Sequence, residues 1–402
     1  MTPGPSIWVV MLALLGTHLA GMGAFLTLPV LSPLIGAELR LPASLSGLHT
    51  ALVYAGALLS GPFTGGLLRW HGGIRVAQGA LVVIGAGIAL AALGHPLALV
   101  GSALLAGVGH GPLTPAGSHV LAARTPARIR GLIFGLKQCG VPAGAMLVAA
   151  LAPLLGALFG WRWGVLGVAA VALAVALALQ PLRAALDADR APRAATAASR
   201  AMPLREAASN LALLRTERPL RAITLVSCCL GVSQFSFFSF FVAWQVEVLG
   251  TPLVEAGFRL AVGQVAGVVG RILWAVVADR VGAGPVLWVV GLGTAASALG
   301  MALAGPGWPG AAVTLLAVVM GATAVGWNGV LLAEIARVAP PGRVGAATAA
   351  MGFAFGLSML VAPSLFSLAV GLTGGYGIGF GLCAAMALLS VLALRGGGGG
   401  AR

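Results

Sequence analysis

The chain has 402 residues, of which 59% are hydrophobic and only 8% charged, with a mean hydropathy of +1.03. A soluble domain carries roughly a quarter charged residues, so this composition excludes a soluble globular protein and requires lipid as solvent for most of the exterior. The formal net charge of +14 comes from 23 basic against 9 acidic residues; the basic ones sit mostly in short loops between apolar runs, which reads as an orientation signal in a bilayer and not as a surface for nucleic acid.

Met1 to Ser6 carries no basic side chain and leads into a full-length apolar run. That run is expected to stay as a helix and not to be cleaved as a signal peptide. Apolar runs of about 20 residues span a bilayer as helices. Runs bounded by charge or by Pro and Gly predict helices at 7–32, 43–68, 74–93, 97–122, 130–155, 162–181, 221–248, 253–278, 285–304, 310–336, 344–371 and 376–394. The runs are apolar on all sides, which excludes the short alternating segments of a β-barrel. The expected fold class is therefore an all-α membrane protein with twelve transmembrane helices.

Residues 183–220 break the pattern. They hold Arg183, Arg190, Arg193, Arg200, Arg205, Arg215 and Arg218 with Asp187, Asp189, Glu206 and Glu217, too many charges to span. The expected organisation is an N-terminal six-helix bundle (1–182), a cytoplasmic central loop (183–220) with a low-complexity middle (191–201), and a C-terminal six-helix bundle (221–402).

With the N-terminus in the cytoplasm, only Arg40 and Arg162 of the 23 basic residues fall on the far side, and Lys137, Arg259 and Arg271 lie inside helices. This asymmetry predicts that both termini are cytoplasmic, in a multi-pass protein of a bacterial inner membrane. Cys139, Cys228, Cys229 and Cys383 fall in apolar runs without metal-ligand spacing and read as small packing residues. No metal and no cofactor is expected.

The two halves echo each other at a shift of 210 residues. Arg69 falls on Asp279, Gly72 on Gly282 and Pro153 on Pro363. Two parallel six-helix repeats place a substrate site between halves near the midplane.

These motifs resemble the major facilitator superfamily. Trp274-Ala-Val-Val-Ala-Asp279-Arg280-Val-Gly282 is similar to the Asp-Arg-x-Gly signature of its cytoplasmic loops, and the first copy departs from it because Arg69 stands at the acidic position. Gly135-Leu-Lys-Gln-Cys-Gly140-Val-Pro142-Ala-Gly144 resembles the Gly-rich, Pro-containing fifth helix. The resemblance covers the whole chain. Arg271, eight residues before Asp279, resembles the helix 8 pattern of monocarboxylate and oxalate/formate carriers, whose Arg binds the substrate carboxylate. The 135–142 stretch is closest in feel to cyanate-permease-like carriers. The resemblance implies a small-anion carrier in which helices 5 and 8 are neighbours.

The buried cations point the same way on physical grounds. Counting ~1.5 Å per residue from Asp279 puts Arg271 ~12 Å deep, and counting from Arg130 puts Lys137 ~10 Å deep. Either cation facing lipid there costs roughly 2.5–3.5 kcal/mol or more. The acidic residues nearest these helices, Glu247, Glu255, Asp279 and Glu334, all fall near helix ends. The expected missing partner is an anionic substrate, held bidentately by Arg271 and by Lys137. Arg259 follows Glu255 by four residues and reads as an ion pair. Gln264, two turns from Arg271, with Tyr54, Asn328 and Gln138, are further expected lining residues.

His110, His18 and His49 are candidates for proton coupling, because His titrates near physiological pH; His110 stands in a Gly- and Pro-rich stretch that permits a broken helix. Asp279 with Arg280, and Glu334 with Arg337, are an expected cytoplasmic gate, for which the first half offers no acid. No nucleophile–base pair or phosphate loop is present in the sequence, so no enzyme is expected. The expected function is alternating-access transport of a small, organic anion, by proton-coupled uptake or exchange. The partners are then that anion, a proton and the lipid bilayer, with no nucleic acid, and the protein is a monomer. The alternative is an exporter of drugs or metabolites with the same fold.

Overall fold

The computed structural model describes residues 5–126, 129–188, 211–340 and 343–397. Among them, twelve helices are long and apolar enough to cross a membrane. These are α1 (Ile7–Leu39), α2 (Ala43–His71), α3 (Gly73–Ala91), α4 (Pro96–Arg124), α5 (Ile133–Phe159), α6 (Trp161–Ala178), α7 (Arg218–Leu249), α8 (Leu253–Val281), α9 (Ala283–Leu303), α10 (Gly310–Val338), α11 (Val344–Thr373) and α12 (Gly377–Leu394). No strand occurs among the described residues. The reason is the solvent: lipid offers no hydrogen bonds, so every backbone amide must be satisfied within its own helix.

Most helices run a few residues beyond their apolar runs, and the two largest departures are these. The first helix continues through Pro29 and Pro33 to Leu39. A short helix, Gln180–Leu186, carries the chain from α6 into the expected central loop. The low-complexity middle, 191–201, lies outside the described residues.

Two helices depart from regular winding. The segment Arg130–Gln138 runs into Gly140–Phe159 of α5 through Cys139, whose αR backbone keeps the hydrogen-bond ladder and alters its winding for one residue. In α10, a π-helical turn, Gly321–Val325, separates Gly310–Met320 from Asn328–Val338. Such turns release carbonyls from the regular ladder and occur often at functional sites.

Packing divides the chain into two compact units, one of Met1–Leu31 with Leu52–Leu204, the other of Ser32–Ala51 with Arg205–Arg402. In the first unit α3 lies along α4 and α6. Helices approach closely where glycines line the seam, as expected where packing and not hydrophobicity drives association. A Cβ at Gly107 of α4 would stand 2.0 Å from the Val53 carbonyl oxygen, and one at Gly144 of α5 would stand 2.2 Å from that of Leu19.

In the second unit α7 is the central helix, with Phe237, Phe238, Phe240, Phe241 and Trp244 all buried. Phe240 stacks on Phe366 of α11 (3.9 Å, 11°), and Trp244 meets Phe380 of α12 edge-on (5.6 Å). The 32–51 stretch belongs here through Thr50, whose hydroxyl meets that of Ser239 (2.7 Å), and through Ser44, whose carbonyl accepts from Ser367 (2.6 Å).

One turn is repeated between the units. Gly72 (φ 83°, ψ 164°) opens α3, and Gly282 (φ 87°, ψ 161°) opens α9 in the same conformation. Positive φ with extended ψ is accessible essentially to glycine alone.

Candidate functional site

The first unit holds a buried cation against neutral oxygens. Lys137, two residues before the irregular turn of α5 at Cys139, is 1% exposed. Its ammonium donates to the Ser118 hydroxyl (3.1 Å) and the Thr114 carbonyl (3.4 Å) of α4, and lies 5.9 Å from the Phe134 ring centre. Thr114 and Ser118 are four apart and so share one face of α4.

His18 of α1 joins this cluster. Its Nε2 is 3.3 Å from the Thr114 hydroxyl, and its Nδ1 is 3.1 Å from the Leu14 carbonyl. A carbonyl only accepts, so Nδ1 carries a proton; with the ring neutral, Nε2 accepts from the Thr114 hydroxyl. His18 and Lys137 thus meet through one threonine. Gly117 leaves the room for this: a Cβ there would be 3.3 Å from the Lys137 amine and 3.6 Å from the His18 ring.

The other expected residues of this unit form a separate group. Phe25 of α1 contacts Tyr54 of α2 edge-on (6.2 Å) and His110 of α4 (5.9 Å). Gln138, beside Lys137, is half-buried.

In the second unit the π-helical turn organises the site. The Arg271 Nε donates to the Val325 carbonyl (3.1 Å), and the Asn328 amide donates to the same oxygen (3.2 Å). The Trp274 indole donates to the Ala322 carbonyl (2.7 Å). The close approach of α8 to this turn comes from Gly263, Gly267 and Gly270; a Cβ at Gly270 would stand 2.3 Å from the Ala322 oxygen. Gln264 is fully buried on α8, and neither of its amide atoms has a hydrogen-bond partner among the described residues. Unsatisfied buried amides are costly. His49 is buried in the 32–51 stretch of this unit.

At the ends of the helices, Arg259 pairs with Glu255 and donates to Gln245 (3.2 Å), so the four-residue spacing forms its ion pair. Arg337 pairs with Glu334 through two bonds of 2.6 and 2.9 Å. Asp279 and Arg280 are exposed on the last turn of α8.

Three features were not legible in the sequence. Thr114 and Ser118 carry a weak signal, polar residues four apart in an apolar helix. The π-helical turn carries none that its composition reveals. Asp187, placed in the central loop, caps α3: its carboxylate accepts from the amides of Ile74 (2.8 Å) and Arg75 (2.9 Å). The first half therefore does bring an acid to the loop where Arg69 replaces one. Among the described residues no cluster of three His, Cys, Asp or Glu could hold a metal.

A twelve-helix membrane protein with a π-helical turn inside one span and polar side chains buried in others has the make-up of a secondary transporter. The chain matches the Major Facilitator Superfamily over residues 13–363 and belongs to that superfamily. No curated protein matches it in sequence. Solved structures share the fold. A nucleoside transporter, NupG, is 14% identical, with 97% of this chain and 100% of that one covered and a TM-score of 0.77. A D-xylose-proton symporter is 19% identical, with 96% of each chain covered and a TM-score of 0.75. A bacterial homolog of the human lysosomal transporter Spinster is 15% identical, covers 98% and 96%, and scores 0.72. The protein is accordingly a multi-pass membrane transporter.

Proposed function

We propose that the cargo is a small anion, organic or inorganic, moved by alternating access, with both termini in the cytoplasm of a bacterial inner membrane and the monomer as the working form. The observation that carries this reading is Lys137. It is buried, and its ammonium has only neutral acceptors among the described residues, Ser118 and Thr114. Apart from Glu38 near the end of α1, no Asp or Glu occurs in α1–α6. A buried ammonium without a counter-charge costs several kcal/mol, and an anionic cargo relieves that cost each time it binds.

Arg271 fits the same role in the second unit. With Nε given to Val325, the planar fork is oriented by the backbone, and orientation lowers the entropy lost on binding a carboxylate. Coupling is assigned to His18, because a proton on Nε2 would place a second positive charge near Lys137 and favour cargo binding.

The test is thermal stabilisation of the purified protein by formate, oxalate, cyanate and phosphate, with Arg271→Ala and Lys137→Gln in parallel. Stabilisation by one or more anions, lost in both variants, is expected. Stabilisation by neutral or cationic compounds alone would replace this reading with that of an exporter.

A further inference from the structure

Away from these side chains, the first unit carries a groove of about 530 Å³ between α2, α3 and α4. Its walls are apolar: Leu59, Phe63 and Leu67 from α2, Val83 from α3, Val108 and Pro112 from α4. Leu59 and Phe63 are each 66% exposed. The groove is concave because Gly79 of α3 has no side chain to fill it; a Cβ there would meet nothing within 4 Å.

One end of the groove is cationic. His71 closes α2, and Arg75 stands in the first turn of α3. The Arg75 guanidinium donates to the Gln78 side-chain oxygen at 3.5 Å, and no carboxylate pairs with it among the described residues. The nearby Asp187 carboxylate bonds two backbone amides, one of them that of Arg75, and makes no bond to the guanidinium. From Arg75 to Val83 the groove runs ~12 Å along α3. An apolar trough ending in a guanidinium that makes no ion pair among the described residues, at the end of a membrane span, matches a lipid with a negatively charged headgroup. The acyl chain lies along the trough, and the phosphate meets the fork of Arg75.

We propose that this groove is a binding site for one anionic phospholipid. A zwitterionic lipid of equal chain length fills the trough equally well but brings a phosphate already balanced by its own ammonium. The preference for anionic lipid therefore resides in Arg75, and the overall lipid affinity resides in the trough.

The experiment titrates delipidated, detergent-solubilised protein with phosphatidylglycerol or phosphatidylcholine and counts bound lipid by native mass spectrometry. One phosphatidylglycerol is expected to bind in preference to phosphatidylcholine. Arg75→Gln should reduce that preference about five-fold, the effect of one basic residue at an anionic surface. Gly79→Leu should weaken both lipids alike, and Phe63→Ala reads the same wall should Gly79→Leu not purify. Stabilisation by small anions should persist in all three, which separates this site from Lys137. Equal binding of the two lipids, an unchanged preference in Arg75→Gln, or full competition by glycerol phosphate would overturn the proposal.

Discussion

Asp187 and Gly72 form one joint, although 115 positions separate them. Asp187 accepts from the amides of Ile74 and Arg75, the second and third residues of the helix that Gly72 opens. The capped amides would otherwise lack partners, and the negative charge opposes the positive end of the helix dipole. A Cβ on Gly72 would fall 2.3 Å from the Asp187 carboxyl carbon. The joint therefore requires both the acid and the absence of a side chain facing it.

Removing either partner has a defined cost. Asp187→Ala should lower stability by about 1 kcal/mol, the usual worth of an N-cap. Gly72→Ala should cost more, since it adds strain at φ 83° to the collision with Asp187. In the Asp187→Ala background the clashes with the carboxyl atoms are gone and that with the Cβ at 2.4 Å remains, so part of the collision is relieved and the two losses should sum to more than the double variant shows. Thermal melts of the four proteins in one detergent measure this, and strict additivity would contradict it.

Lys137→Met tests the buried ammonium directly. The methionine keeps an unbranched side chain one atom shorter and removes a buried charge that costs several kcal/mol without a counter-charge. The variant should melt at or above the parent temperature and lose its response to anions. A melt several degrees lower would make Lys137 a structural residue held by Ser118 and Thr114.

The seam between α8 and α10 should tolerate no side chain. Gly270→Val forces atoms against the Ala322 carbonyl, which already accepts from Trp274. A loss of about 1–3 kcal/mol or more is expected, seen as a drop in the monodisperse peak on size exclusion. Gly284→Ala, where a Cβ meets nothing within 4 Å, is the control and should behave as the parent.

A pH dependence is expected from Tyr376, between α11 and α12. Its hydroxyl donates to Glu247 (2.7 Å), and burial first, then the adjacent carboxylate, push its pKa above the ordinary tyrosine value. The folded state thus holds the proton more tightly than the unfolded chain. The stabilisation is complete below the unfolded pKa of about 10 and is lost as pH rises above it. Tyr376→Phe should cost about 1 kcal/mol at neutral pH and flatten the alkaline part of the stability profile. A profile unchanged above pH about 10 would argue against it.

The number and order of the spanning helices were legible from composition, because lipid admits only backbone that satisfies itself. Twenty apolar residues then determine a helix whatever surrounds it. That Lys137 and Arg271 lie inside helices was legible from their places in those runs. The repeat of Gly72 and Gly282 showed as a shift of 210, since a positive φ leaves a single residue type to choose.

What those cations touch was decided by packing between helices distant in sequence. Lys137 reaches Ser118 only because α4 turns that face toward α5, and Arg271 meets Val325 because α10 changes its winding at Gly321. Neither rotation nor winding is written in an apolar run, where many azimuths bury lipid-like side chains equally well. Asp187 reads as loop charge until a folded unit brings it to the first amides of α3. Local sequence sets how a helix forms, and tertiary contact sets which of its faces meets which partner.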